Sequence, residues 1–284
     1  MTVIRFQQVT KAYGDDGDVI RGLDLDVEKG EFITLLGESG CGKTTMLKII
    51  NKMVPFDTGK VWVKGKLLSE WDIVTLRRQI GYVIQQIGLF PHMTIQDNVA
   101  YVLSLQGSSG SEQRKRAEEL MDLVGLPLDY LARYPRELSG GQKQRVGVAR
   151  ALAAYPEIIL MDEPFGAVDE QTRVLLQDEL LKIHRHLKNT IIFVTHDIQE
   201  AVKLGTRIVL MNRGQIEQTG TREELVLRPA NDFVRRFMGH KGFLSLLDDE
   251  VVGHVYQQVL DQKTSLSDVY QRMEMIGNTD ELQV

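Results

Sequence analysis

A glycine-rich loop with a lysine near its end is the first segment whose residue types are suited to chemistry. Residues 37–45 spell GESGCGKTT, between a short apolar run and a stretch with helical spacing. Such glycines let backbone N–H groups converge on phosphate oxygens, toward which the following helix also points the positive end of its dipole. We predict that Lys43 reaches the β and γ phosphates of a nucleotide, that Thr44 holds Mg²⁺, and that Cys41 is a spacer.

Two adjacent carboxylates form the second candidate group. The sequence PEIILMDEP ends an apolar run at Asp162 and Glu163. A buried strand there would deliver both to the carboxyl edge of a parallel sheet, where ligands bind. Asp162 is suited to organising the ligands of the metal, and Glu163 to polarising a water molecule for in-line attack on the γ phosphate. We therefore expect Glu163 to be the general base.

A histidine joins the glycine-rich loop and the two carboxylates as a candidate for the same site. The sequence FVTHD places His196 at the end of another predicted strand, and therefore at the same sheet edge. An imidazole there can hydrogen-bond the γ phosphate or the attacking water. Because the loop, both carboxylates and this histidine would surround one point, we assign His196 a catalytic role rather than a packing role.

A second cluster of small residues, SGGQ at residues 139–142, admits two interpretations. Ser139 is a good N-cap for the helical sequence GGQKQRVGVARALAA, and the glycines would then simply begin that helix. Alternatively, the exposed N–H groups of the same helix start bind a nucleotide held by a second copy of the chain. Because a rigid fold does not readily turn this segment toward its own loop, we favour a head-to-tail homodimer that encloses two nucleotides.

The elements that must position these residues are indicated by hydrophobic pattern. Continuous apolar runs predict buried strands at FITLL, EIILMD, TIIFVTH and RIVLMN, while VIRFQQV, LDLDVEKGE and KVWVKGKLL alternate. The order strand, loop, helix, strand that ends at KVWVKGKLL indicates an α/β unit. From about residue 94 to 155 the pattern is helical, and we expect Ser111 to cap one helix there. The buried stripe of that helix is predicted at Ala117, Leu120, Met121 and Val124.

Composition excludes several classes of protein. The chain has 284 residues, of which 43% are hydrophobic and 26% charged, as in globular domains. A net charge of −5, with cations interleaved among acids, argues against nucleic-acid binding. One cysteine excludes an intrachain disulfide, the first residues lack a signal-peptide pattern, and the apolar runs are shorter than a membrane span. We expect a cytosolic chain that meets a membrane only through a partner.

Five ordered motifs carry a family resemblance. GESGCGKTT, LSGGQKQR, IILMDEP, AVD and VTHD resemble those of the ATP-binding cassette ATPases of ABC transporters, over about residues 1–239. The resemblance implies an α/β P-loop NTPase fold, in which a RecA-like core carries an antiparallel β subdomain and an inserted helical subdomain at about residues 92–155. It also implies that ATP and Mg²⁺ are the cofactors.

The same resemblance adds residues to the predicted site. Tyr13 would stack on adenine, and Asp169 matches the aspartate of AVD. Gln85 would contact Mg²⁺ and the membrane subunit, with Gln86 as a rival one position away. The predicted catalytic residues are thus Glu163, His196 and Gln85, and the predicted metal ligands are Thr44, Gln85 and Asp162. The residues expected to bind ATP are Tyr13, Gly37, Glu38, Ser39, Gly40, Cys41, Gly42, Lys43, Thr44, Thr45, Ser139, Gly140, Gly141, Gln142 and Asp169.

A narrower resemblance concerns the transported solute. RRQIGYVIQQIGLFPHMTIQDNV, ELSGGQKQRVGVARALA and LRPANDFVRRFMG are similar to sequences of importers of quaternary amines such as glycine betaine, choline and carnitine. This implies an ATP-hydrolysing homodimer, peripheral at the cytoplasmic face of the membrane, beneath permease subunits that an extracytoplasmic solute-binding protein serves. Two alternatives stay open. One is a soluble cassette acting on ribosomes or DNA, which the single cassette and acidic charge disfavour, and the other is the ATPase half of an exporter.

Residues 240–284 change in pattern, and we predict a C-terminal tail there. A helical stripe is formed by Leu266, Val269, Tyr270, Met273 and Ile276. TSLSDVYQRMEMIGNTDELQV resembles the opening of a CBS module that the chain is too short to complete. We favour a packing or dimerising tail over a regulatory segment.

Overall fold

The computed structural model of the chain describes residues 1–14, 17–84, 88–166, 168–246 and 265. The strands are β1 (Thr2–Ala12), β2 (Asp18–Glu28), β3 (Phe32–Gly37), β4 (Thr58–Val63), β5 (Lys66–Leu67), β6 (Ile80–Val83), β7 (Ile158–Asp162), β8 (Thr190–Thr195), β9 (Arg207–Asn212) and β10 (Gln215–Gly220). The helices are α1 (Lys43–Ile50), α2 (Ile73–Gln79), α3 (Ile95–Leu105), α4 (Gly110–Leu123), α5 (Gly140–Leu152), α6 (Glu170–Leu187), α7 (Ile198–Leu204), α8 (Arg222–Leu227) and α9 (Asp232–Leu244). Short 3₁₀ turns occupy Leu68–Glu70, Leu128–Ala132 and Pro135–Glu137.

A six-stranded sheet in the order β10-β9-β3-β8-β7-β6 forms the centre of the molecule. β3 pairs in parallel with β8 and β9, and β7 pairs in parallel with β8 and β6, whereas β10 runs antiparallel to β9. Every residue of β3, β7 and β8 is buried, as the continuous apolar runs predict for strands covered on both faces. The carboxyl ends of these three strands therefore meet at one sheet edge.

The second sheet, in the order β2-β1-β4-β5, is antiparallel. Its apolar side joins one face of the central sheet and α1 in a single core, which includes Phe6, Val61 and Leu47. The predicted order strand, loop, helix, strand is present as β3, α1 and β4, but β4 pairs antiparallel with β1 rather than parallel with β3, so the two strands lie in different sheets. The first half of β4 is exposed, as suits a strand of a half-solvated antiparallel sheet.

Helices α3, α4 and α5 form the predicted helical region on the other face of the central sheet. The stripe predicted on α4 is buried, since Ala117, Leu120, Met121 and Val124 all join that core. The prediction that Ser111 caps α4 is wrong. Ser109 is the cap, because Glu112 lies three residues on and accepts from the Ser109 N–H at 2.8 Å, completing a capping box.

The last described elements, α7, α8 and α9, pack on the outer side of β9 through a third cluster that includes Leu210, Leu225 and Val234. α9 is interrupted at Gly239, whose φ of 43° and ψ of −149° are not helical, at the last residue before the predicted tail. The stripe predicted between residues 266 and 276 lies outside the described residues. Over the described ranges, the helices are too short or too polar to cross a membrane.

Candidate functional site

The predicted phosphate loop connects the carboxyl end of β3 to the amino end of α1. Two of its glycines have no room for a side chain. At Gly37, with φ of 151°, an added Cβ would lie 2.3 Å from the carbonyl oxygen of Met211 on β9. At Gly42, with φ of 108°, it would lie 2.6 Å from the carbonyl oxygen of Val19 on β2. Strands on both sides thus fix the backbone of the loop.

Lys43 begins α1, and its side chain is buried inside the curve of the loop. Its Nζ donates to the carbonyl oxygens of Gly37 at 2.7 Å and Glu38 at 2.8 Å, and lies 3.7 Å from Cys41 Sγ. No side chain caps the helix start at Gly42, so the first N–H groups of α1 remain available to an anion. Glu38, Ser39 and Gly40 are exposed, whereas Cys41, Gly42 and Thr45 are buried.

Two of the predicted metal ligands are in contact. Thr44 Oγ1 donates to Asp162 Oδ1, at the end of β7, over 2.8 Å. Burial raises the pKa of Asp162, the charge of Glu163 raises it further, and the hydrogen bond from Thr44 opposes this increase. Burial and the charge of Asp162 also raise the pKa of Tyr82, on neighbouring β6, to about 12. The Asp162 carboxylate therefore lies in a poorly solvated environment.

The donor set at this contact suits a hard cation. A hydroxyl oxygen and a carboxylate oxygen are ligands that Mg²⁺ accepts, together with water and phosphate oxygens. Over the described ranges, there is no group of three or more His, Cys, Asp or Glu side chains that could hold a metal ion. The Thr44 hydroxyl and the Asp162 carboxylate thus fit a magnesium ion.

Glu163 adopts a backbone conformation that is uncommon for a residue with a side chain. Its φ is 43°, in the left-handed region, and its N–H donates to the Val194 carbonyl oxygen of β8 over 3.1 Å. Its Oε1 lies 3.3 Å from Nδ1 of His196, which directly follows β8. The Glu163 side chain is 20% exposed and that of His196 62%, so the carboxylate is sheltered beside an open imidazole.

Ser139 caps α5, as the first of the two interpretations of SGGQ predicts. Its Oγ accepts from the Gln142 N–H at 3.3 Å, and Gln142 Oε1 accepts from the Ser139 N–H at 2.9 Å. Ser139 and Gly140 are nevertheless exposed. The second interpretation, binding of a nucleotide held by another copy, stays a prediction.

The start of α5 opens onto a cleft of about 480 Å³ that Asp169 also lines. Asp169 caps α6 and accepts from the Thr172 N–H at 3.0 Å, and this backbone hydrogen bond lowers its pKa. Among the described residues that line the cleft, none belongs to the phosphate loop at 37–45. Within one chain, the predicted site residues are therefore described as two groups. The first group is the phosphate loop with Asp162, Glu163 and His196, and the second group is residues 139–142 with Asp169.

Two further predicted residues have different outcomes. Tyr13 directly follows β1, is 42% exposed, and lies with its ring centroid 5.3 Å from Lys11 Nζ. Its connection leads to β2, whose Val19 abuts the phosphate loop. Gln85, like its rival Gln86, lies outside the described residues, so its role as a catalytic residue and metal ligand stays a prediction.

Sequence reasoning missed two charged residues behind His196. Arg173 on α6 and Glu200 on α7 form an ion pair, with Arg173 Nε 3.9 Å from Glu200 Oε1. Glu200 is buried, and burial raises its pKa. In the sequence, Glu200 is an ordinary acid in the first turn of a helix, so neither its burial nor its distant partner has a local signal.

Comparisons with known proteins agree with the family resemblance. A model of the ABC transporter family matches residues 20–166. The glycine betaine/carnitine/choline transport ATP-binding protein OpuCA of Bacillus subtilis (strain 168) is 50% identical over 87% of this chain and 65% of its own length. The glycine betaine uptake system ATP-binding protein YehX of Escherichia coli (strain K12) is 48% identical over 84% of this chain and 77% of its own. The chain thus spans less than two-thirds of the Bacillus subtilis relative.

A solved structure shares the fold. The dimeric ATP-binding cassette MJ0796, in a post-hydrolysis state with bound ADP and Pi, matches with a TM-score of 0.71 and 36% identity. The match covers 77% of this chain and 98% of the cassette. The α/β P-loop NTPase fold predicted from the motifs is therefore confirmed.

Proposed function

The chain belongs to the ABC transporter family, and from that premise we propose that it is the ATP-hydrolysing subunit of an importer. One observation carries the proposal: the phosphate loop, Asp162, Glu163 and His196 meet at the carboxyl edge of the central sheet. A loop that holds phosphates, a hard-oxygen metal site and a sheltered carboxylate are together the parts that hydrolysis of a nucleoside triphosphate needs.

Each of these residues has a distinct proposed role. Lys43 turns from its own loop carbonyls to the β and γ phosphates of ATP. Thr44 and Asp162, joined by 2.8 Å, hold Mg²⁺, which when bound neutralises charge on the phosphate oxygens. Glu163 orients the attacking water and takes its proton, and His196 hydrogen-bonds the γ phosphate from the solvent side.

We propose that the second group of residues binds the nucleotide that a partner chain holds. Ser139 and Gly140 expose the amino end of α5 in a cleft that Gly141 and Asp169 also line and to which residues 37–45 do not contribute. In a twofold homodimer, this helix end would meet the nucleotide held by the other copy. The dimeric assembly of the cassette MJ0796, at 36% identity, supports this arrangement.

The cargo is a quaternary ammonium osmoprotectant such as glycine betaine, choline or carnitine. Support comes from relatives at 48% and 50% identity whose names give such solutes. The chain would lie at the cytoplasmic face of the membrane against permease subunits, which a solute-binding protein outside the membrane supplies. Gln85 is the residue we propose to sense Mg²⁺ and the permease.

Co-purification with the permease from native membranes tests this proposal. The complex is reconstituted with its solute-binding protein in vesicles, and ATPase activity is measured with each quaternary amine and with sulfate and spermidine as control solutes. We expect at least one quaternary amine, and neither control solute, to stimulate hydrolysis. Stimulation by a control solute alone would overturn the cargo assignment, and the absence of ATPase activity would overturn the enzymatic one.

A further inference from the structure

Arg173 connects three segments that surround the proposed catalytic centre. Its Nη2 donates to the Val168 carbonyl oxygen at 3.2 Å, directly before Asp169. Its Nη1 lies 3.3 Å from Glu170 Oε2 on its own helix and 3.8 Å from Asp197 Oδ2, directly after His196. Its buried Nε lies 3.9 Å from Glu200 Oε1. One guanidinium therefore reaches both the segment that ends at Asp169 and the segment that carries His196.

Glu200 completes the connection from the other side. Its Oε2 accepts from Thr195 Oγ1 at 2.5 Å, and Thr195 is the last residue of β8, directly before His196. The same hydroxyl accepts from the Asp197 N–H at 3.0 Å. Gln177 Nε2 of α6 lies 3.4 Å from the other carboxylate oxygen of Glu200. The residues on both sides of His196 are thus fixed through Glu200.

A purely structural role would be to attach α6 to α7. Another ion pair, between Lys203 Nζ and Asp178 Oδ1 at 2.8 Å, already joins these two helices and touches neither the Asp169 segment nor the His196 segment. An ion pair that is largely removed from water, with the Arg173 side chain 24% exposed and that of Glu200 8%, is also a weak device for stability, because the cost of desolvating the charges offsets much of their attraction. The contacts of Arg173 and Glu200 are therefore better explained by what they hold in place.

We propose that Arg173 and Glu200 are a positioning pair, which holds His196 beside Glu163 and ties both to the segment that carries Asp169. The proposal rests on the proposed ATP hydrolysis. The connection runs from the Val168 carbonyl through Arg173 and Glu200 to Thr195, and so joins the residue before Asp169 to the residue before His196. A partner chain that contacts Asp169 would thereby act on the geometry of the imidazole.

Steady-state ATPase assays and ATP titrations on the purified full chain test this pair. The variants are Arg173→Met, Glu200→Gln and the double substitution, since Gln keeps the volume and the acceptor for Thr195. We expect each single variant to lower kcat about 10- to 100-fold, the loss that a small misplacement of a catalytic group produces. The double variant should lose little more than either single variant, because the two residues act as one unit. ATP affinity should stay within about twofold of wild type, because Lys43 is untouched.

Lys203→Met is the matched control, since it removes the other ion pair between α6 and α7. It should retain wild-type kcat. Arg173→Lys should recover only part of the activity, because one ammonium cannot reach Val168, Asp197 and Glu200 together. If a Met or Gln variant folds poorly by circular dichroism, Thr195→Val removes the hydroxyl contact to Glu200 at similar volume and should lower kcat in the same way.

Three results would overturn the proposed positioning role of Arg173 and Glu200. They are an unchanged kcat in the single variants, losses of kcat that multiply in the double variant, or an equal loss of kcat in Lys203→Met. A wild-type chain that binds ATP but hydrolyses none, even with its permease, would overturn the proposed function itself. That outcome is separate from these three, all of which require an active wild type.

Discussion

The two groups of predicted nucleotide-binding residues differ in what the fold completes within one chain. In the first group, Thr44 contacts Asp162 and Glu163 contacts His196, so residues at or just beyond the carboxyl ends of β3, β7 and β8 meet. In the second, the bonds of Ser139 and Gln142 are to each other within one helical turn. The first group is a product of tertiary structure, whereas Ser139 and Gln142 of the second form a helix cap that gains a further role only when another chain meets it.

Glu163→Gln should have the largest effect, because it removes the proposed general base and leaves the phosphate loop intact. We expect ATP hydrolysis to fall ~10²- to 10⁴-fold while ATP binding is retained. The ATP-bound homodimer should then accumulate, which size-exclusion chromatography with ATP detects. Glu157→Gln is the control, because Glu157 lies just before the other end of β7, paired with Lys29 and Lys64. Turnover near the wild-type rate in Glu163→Gln would contradict the assignment.

Mixing two inactive variants tests whether the second group needs a partner chain. Ser139→Arg blocks the start of α5, and Lys43→Ala removes the phosphate-binding lysine, so each homodimer should be inactive. In a mixed dimer, one of the two shared sites keeps both Lys43 and Ser139. With random mixing, activity should return to about a quarter of wild type, because half of the dimers are mixed and each has one intact site. An absence of recovery would show that both residues serve the nucleotide of their own chain.

The aspartates of the two groups should respond to pH in opposite directions. Burial raises the pKa of Asp162, so the folded state binds more protons than the unfolded state. The fold therefore loses stability as pH rises above the ordinary pKa of an aspartate, because the buried carboxylate must then carry its charge. A backbone hydrogen bond from Thr172 lowers the pKa of Asp169, so its charge stabilises the fold at neutral pH and this contribution is lost on acidification.

Asp162→Asn should therefore become more stable relative to wild type as pH rises from about 3 to 7, and Asp169→Asn less stable. Denaturant unfolding of the nucleotide-free, magnesium-free protein at several pH values measures both differences. Parallel slopes for the two variants would contradict the contrast between a buried and a hydrogen-bonded carboxylate.

The sequence was sufficient wherever a local pattern determines the structure. Continuous apolar runs identified β3, β7 and β8, and their parallel order brings Asp162 and His196 to one edge. The partner of β4 was not predictable, because alternation indicates a half-buried strand but not which sheet it joins. The predicted cap of α4, Ser111, is wrong although the sequence carries a signal for Ser109, namely Glu112 three residues later.

The contact between Arg173 and Glu200 had no comparable signal. The two residues are far apart in sequence, and each fits its own helix as a surface charge would. Their role depends on burial and on the tertiary contacts of α6 and α7, which a periodic pattern does not encode. Local chemistry was therefore predictable at the first group, while the support behind it was not.

The smallest expected effect separates capping from nucleotide binding at the second group. Ser139 and Ser109 each form a capping box, with Gln142 and Glu112 respectively, at exposed helix starts. Replacing either serine by alanine should cost about 1 kcal/mol of unfolding free energy, because both remove the same kind of cap. Only Ser139→Ala should also weaken the ATP-driven homodimer and lower hydrolysis, since only that hydroxyl is proposed to face a partner's nucleotide. If the two variants lose stability equally and both keep wild-type hydrolysis, Ser139 is a cap and nothing more.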